Sequence, residues 1–176
     1  KYPMRRVEVK TFTIAAVDHL FQGQLTKRLK VGIVSNAALD GAVTANIFQF
    51  KHYIVSKIEV SRDGKTLCTK PFETYFVQKS YLRSYLSLYE ATGQRGTNTS
   101  HCILYEDYAR GYTLWAFDLT PDQGSDDGHL HPIKSGQLRM EVQFSEAFAE
   151  TMNVILYADF ENTIEINSLR EVILDY

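Results

Sequence analysis

Residues 136–144 read GQLRMEVQF, and the strict alternation of this run leaves the backbone few options. Leu138, Met140, Val142 and Phe144 fall on one side, with Gln137, Arg139, Glu141 and Gln143 on the other. Successive side chains of a strand point to opposite faces, so a period of two predicts one face in a core and one in water. The period recurs. Val7 and Val9 alternate with charged residues in RRVEVKTFTI (5–14), and Leu29, Val31 and Ile33 share a face in RLKVGIV (28–34). In IEVSRDGKTLC (58–68) the pair Asp63-Gly64 separates two alternating runs. It predicts a hairpin, because a tight turn that matches strand twist needs residues tolerant of positive φ. Further strands are predicted over 112–118, 152–160, 162–166 and 171–176, while 46–53 is irregular and reads as a loop feeding a strand.

One segment changes period. In QKSYLRSYLSLYEAT (78–92), Tyr81, Leu82, Tyr85, Leu86 and Tyr89 fall on one face of a helix, with Gly93 placed to stop it. YEDYARG (105–111) predicts one or two further helical turns. About eight strands, a helical insertion near 78–110 and no βαβ rhythm together predict an all-β fold. The expected form is an antiparallel eight-stranded jelly-roll sandwich, with residues 1–176 as a single domain. A chain of 176 residues, 44% hydrophobic, can bury a core without staples, and eleven Tyr and ten Phe suit half-buried pleated surfaces.

Composition narrows the function classes. Nineteen basic and twenty-one acidic residues give a net charge of −2, which predicts no specific nucleic-acid partner and no anionic membrane partner. No apolar run has the length of a membrane-spanning helix. Cys68 and Cys102 form no C-x-x-C pair and read as reduced thiols, and Asn98-Thr99-Ser100 is a lone sequon in a loop-like stretch. GKT at 64–66 fails as a phosphate loop, since Glu59 stands where that motif needs its first Gly.

The enzymatic candidates are weak. His129 and His131 in DDGHLHP have the spacing of a metal-binding pair on a strand. No carboxylate lies among residues 133–136, however, and the pair falls in the Pro/Gly-rich loop 119–135, so two solvated histidines is the favoured reading. Asp118, Asp122, Asp126 and Asp127 lack the spacing of a calcium loop. His101 and Cys102 are chain neighbours, which usually point apart, and no G-x-S-x-G elbow exists. Tyr81, Tyr85 and Tyr89 read as core rather than a stacking platform, and TKRLK (26–30) reads as the solvent face of a strand. No catalytic, cofactor or metal site is expected.

GYTLWAFDLTPD (111–122) carries the rest of the argument. Tyr112, Leu114 and Ala116 fall on one side, and Thr113, Trp115 and Phe117 on the other. A strand apolar on both faces needs a second partner surface, either the helical insertion or a neighbouring subunit. Asp118 and Thr120 beside Pro121 can bond their own backbone and end the strand. Tyr112, Leu114, Trp115, Phe117, Asp118, Leu119, Thr120 and Pro121 of this block resemble one found in the large structural proteins of Polinton/Maverick-type elements and their adintovirus relatives. So do YPMRRVEVKTFTI near the start, LFQGQLTKRLKVGIV (20–34), NIFQFKHY (46–53), the long run 136–166 and the closing LDY. The resemblance is weakest over 71–104 and 123–135. Thr26 stands where those blocks carry Pro, and His19 lies in a shortened stretch.

The resemblance implies the second jelly roll of a double jelly-roll major capsid protein, a homotrimeric capsomer that meets neighbouring capsomers in the virion and assembles inside the host cell. The opening Lys1 fits a fragment entered mid-protein. Two alternatives remain. One is a β-sandwich module binding carbohydrate or protein, including a domesticated host copy. The other is a metal-dependent jelly-roll enzyme built on His129 and His131.

Overall fold

A computed structural model of the chain describes residues 1–14, 20–67, 70–125, 129–147 and 150–175. His19, Cys68, Asp126, Asp127 and Tyr176 lie outside them. The strands are β1 (Tyr2–Thr13), β2 (Phe21–Gln24), β3 (Arg28–Ser35), β4 (Val55–Arg62), β5 (Lys65–Thr66), β6 (Phe72–Glu73), β7 (Leu114–Asp118), β8 (Ser135–Phe144), β9 (Met152–Ile166) and β10 (Val172–Asp175). The helices are α1 (Asn36–Leu39), α2 (Leu82–Ala91) and α3 (Tyr105–Tyr108).

Backbone pairing follows a nested pattern. β4 pairs with β6, β3 with β7, β2 with β8 and β1 with β9, all antiparallel. Cross-pairs β3–β9 and β4–β8 then join these into two five-stranded sheets, ordered β1-β9-β3-β7 and β2-β8-β4-β5. β6 attaches to β4 and β10 to β9. The inner faces share one hydrophobic cluster, a β-sandwich-like arrangement. Leu29, Val31, Trp115, Phe117, Leu156 and Phe160 come from the first sheet, and Phe21, Ile58, Val60, Leu138 and Met140 from the second. Phe21 and Phe160 meet edge-on at 5.4 Å between ring centres, closing the cluster at one end.

The alternation in 136–144 appears as read, with Leu138 and Met140 buried and Gln137, Arg139, Glu141 and Gln143 exposed. Asp63 and Gly64 form the predicted turn, with φ of 49° and 78°. The strand set differs from the expected eight, since ten are present among the described residues. β2 and β6 were hidden by their shortness, and 152–166 is one continuous strand of 15 residues rather than two. Residues 46–53 form no strand, only a bridge from Phe50 to Tyr112.

β1 alternates in the opposite sense to hydropathy. Val7 and Val9 are exposed, and Arg6, Glu8 and Lys10 take the half-buried face. Register decides this. Arg6, Glu8 and Lys10 stand opposite Phe160, Ala158 and Leu156, the inward residues of β9. The cations are accommodated by rings, with the Arg6 guanidinium 4.6 Å from the centre of Phe160 and Lys10 Nζ 4.3 Å from that of Phe21.

The helical insertion lies between β6 and β7, as expected, and α2 packs on β7. It ends where Gly93 takes φ of 70°, with Gly93 N–H donating to the Glu90 carbonyl at 3.3 Å and Gln94 N–H to that of Tyr89 at 2.9 Å. Both bonds satisfy carbonyls that the helix leaves open. The buried face is Ser84, Tyr85, Ser87, Leu88 and Ala91. Tyr81 and Tyr85 are core as predicted, but Leu82 and Leu86 point out to solvent. α2 is also the second surface that β7 requires, since Ala116 is buried on the side away from Trp115 and Phe117.

The solvent face expected for 26–30 is corrected by the same helix. Arg28 is buried, its Nε and Nη2 donating to Asp159 Oδ2 at 2.7 and 2.6 Å and its Nη1 to the Ala91 carbonyl at the end of α2. A cation taken out of water demands such partners.

Two outcomes follow. Trp115→Ala, which empties a fully buried site, is expected to cost about 3–5 kcal/mol in chemical denaturation. Asp159→Ala strands the Arg28 charge and is expected to cost a similar amount, about 3–5 kcal/mol. The double change Arg28→Met/Asp159→Leu should recover most of that loss. A double variant as unstable as the single would show that the pair itself holds the corner together.

Candidate functional site

The segment 111–122 runs from the sandwich interior to its rim. Trp115 and Phe117 are fully buried, Tyr112 is exposed, and Leu114, Asp118, Leu119 and Thr120 are half-buried. Asp118 ends β7 as anticipated: its Oδ1 accepts from Thr120 N at 2.9 Å and Thr120 Oγ1 at 2.6 Å, and its Oδ2 from Ser125 N at 3.0 Å. Leu119 N–H donates to the Lys27 carbonyl, so the chain leaves the sheet in a fixed direction. From there Phe117, Leu119 and Pro121, together with Phe72, Leu82 and Leu86, line a groove of about 750 Å³. The two exposed leucines of α2 thus border a concavity rather than open surface.

On the loop beyond Pro121 the structure brings together residues distant in sequence. His129 Nε2 lies 2.8 Å from Asp122 Oδ2, and His131 Nε2 lies 2.9 Å from Asp122 Oδ1. The opposite ring nitrogen of His131, Nδ1, lies 3.2 Å from Glu161 Oε1, and the His131 backbone N–H donates to Glu161 Oε2 at 2.7 Å. Lys27 Nζ completes the set at 2.7 Å from Glu161 Oε1. The His131 side chain is only 8% exposed, which corrects the solvated reading for that residue; the His129 side chain is 51% exposed and keeps it in part. Burial pushes the Glu161 carboxyl upward, but the hydrogen bonds from Lys27 and His131 outweigh it and leave the group below its usual range. The hydrogen bond to His129 holds the Asp122 carboxyl well below the ordinary value.

The partners of His131 were missed because a carboxylate was sought only just after it. Asp122 precedes it, and Glu161 arrives from β9, where strand register alone places it beside the loop. Other candidates separate. The His101 ring packs against Tyr85 and Tyr89 at 5.3 and 4.1 Å, while the Cys102 thiol turns to the Ser100 carbonyl, so these two neighbours form no pair. Asn98 is exposed in its loop. Among the described residues no helix is long and apolar enough to cross a membrane.

No protein-family profile matches the chain. It is similar to an uncharacterized protein of Caenorhabditis elegans, at 25% identity over an alignment 185 positions long, gaps included, that covers 99% of this chain and 44% of that protein. The chain therefore spans less than half the length of the relative it matches.

Glu161→Ala removes three contacts at once and leaves Lys27, whose side chain is 9% exposed, without its carboxylate. A loss of about 1–3 kcal/mol in urea unfolding is expected. A change within about 0.5 kcal/mol would mean that water replaces the network without penalty.

Proposed function

We propose that the chain is a shell-building domain, the C-terminal jelly roll of a double jelly-roll major capsid protein of the Polinton/Maverick and adintovirus kind. The observation that carries the reading is the nested pairing of β4 with β6, β3 with β7, β2 with β8 and β1 with β9. A long hairpin rolled over two sheets in this order is what a jelly roll requires. The helical insertion then lies in the connection before β7. The family block supports the same reading, because its buried half anchors β7 and its polar half sets the course of a long surface loop. The nematode relative has more than twice the length matched here, which leaves room for a second domain of this size.

In this reading the protein acts through repeated contacts and has no reaction to catalyse. The outer face of the first sheet supplies a contact surface. Val7, Val9 and Tyr157 are exposed together there, Val9 standing directly opposite Tyr157. The partners are two further copies in a pseudo-hexagonal trimer and then neighbouring capsomers, and the location is the virion. Similarity to a nematode protein supports one alternative: a host copy working as a monomeric β-sandwich that binds protein or carbohydrate.

Solution mass and negative-stain images of the full-length parent protein test this. Trimers with pseudo-hexagonal outlines, or shells, are expected. Val9→Asp should weaken that assembly while changing stability by no more than about 0.5 kcal/mol. A monomer at every salt and protein concentration would sink the capsid reading and favour the binding module.

A further inference from the structure

We propose that Asp122, His129 and His131 bind one zinc ion, with Glu161 orienting His131 from behind. The ligand atoms of the three residues all lie within 4.8 Å of one another, and the closest pairs are 2.8 and 2.9 Å apart. Tetrahedral ligands on zinc, at metal distances of about 2.0–2.1 Å, are separated from each other by about 3.3 Å. The observed spacings bracket that value: the contacts of His129 and His131 with the two Asp122 oxygens must open by about half an ångström, and the widest pair must close by up to about 1.5 Å. The Asp122 and His129 side chains lie at the surface, 48% and 51% exposed, outside the packed core.

The decisive feature is His131. Both of its ring nitrogens face carboxylate oxygens, Nε2 toward Asp122 and Nδ1 toward Glu161. Carboxylates facing both ring nitrogens suit an imidazole that carries a cation on one nitrogen and donates from the other. With a metal ion on Nε2, Nδ1–H would donate to Glu161 and Asp122 would become a fellow ligand. A carboxylate behind a ligating histidine fixes its tautomer and ring orientation and raises its basicity. Here Glu161 is itself held by Lys27 and by the His131 backbone N–H. The ion would tie the loop that leaves β7 to β9 through His131 and Glu161. Nitrogen and carboxylate donors favour zinc over magnesium or calcium, which select sets made of oxygen. One coordination position remains for water beside these three ligands.

The test uses the full-length protein with any affinity tag removed, dialysed against chelator and titrated with zinc chloride by calorimetry near neutral pH. One saturable site per chain is expected, with zinc raising the melting temperature and magnesium leaving it unchanged. Cobalt substitution should give the visible absorption of a tetrahedral site. Asp122→Asn/His129→Ala removes two of the three ligands, so zinc should no longer raise the melting temperature of this variant above its own metal-free value. Glu161→Gln should weaken zinc by about 10- to 100-fold, as removal of a supporting carboxylate does. No saturable binding below about 1 mM zinc would overturn the site. Equal binding by wild type and Asp122→Asn/His129→Ala would overturn it as well.

Discussion

Arg28 is the group on which the remainder of the architecture hangs. Its guanidinium joins three elements at one buried point: β3 that carries it, β9 through Asp159, and the C-terminal end of α2 through the Ala91 carbonyl. A cation at a helix C-terminus meets the negative end of the helix dipole, so the third contact is favourable as well as geometric. The neighbouring backbone is tied to the same corner. Thr26 Oγ1 donates to the Arg28 and Asp159 carbonyls at 2.7 Å each, and Lys27 N–H donates to Asp159 at 2.7 Å. Among the described residues Asp159 Oδ1 has no hydrogen-bond partner, so the carboxylate is oriented wholly by its other oxygen.

That corner divides the outer face of the first sheet into two halves. Over β3 and β7 the face is covered: Ala116 is buried beneath α2, and the Phe50 ring lies so close to Gly32 that a Cβ there would come within 2.5 Å of it. Over β1 and β9 the same face is open, with Val7, Val9 and Tyr157 in solvent. The first sheet is therefore sealed by its own chain on one half, while Val7 and Val9 leave the other half apolar and exposed. The charged inner face of β1 is consistent with this division, because Arg6 and Lys10 close the sandwich edge over aromatic rings and leave the valines outward.

The loop after β7 joins the structural and chemical parts of the molecule. Asp118 turns the chain, and Leu119 is fixed to Lys27. His131 then returns the loop to β9 at Glu161, the residue that Lys27 also holds. The same few groups therefore define the rim of the groove and the arrangement of the two histidines.

Much of this was legible in the chain itself. Period two in 136–144, the Asp63-Gly64 turn and the helical stretch closed by Gly93 depend on local geometry, and local geometry is written in neighbouring residues. The need for a second surface against β7 was legible too, because a strand apolar on both faces cannot stand in water. Three matters were decided only by tertiary structure. Hydropathy put Val7 and Val9 on the core side, and the register of β1 on β9 reverses this, since it chooses which alternate set faces inward. Composition marked Arg28 as a surface cation, since nothing near it in sequence reveals a helix lying overhead. The setting of His131 depends on Asp122 and on Glu161, which stands 30 positions further along. Pairing over such separations is fixed by strand register, and register belongs to the folded sheet as a whole.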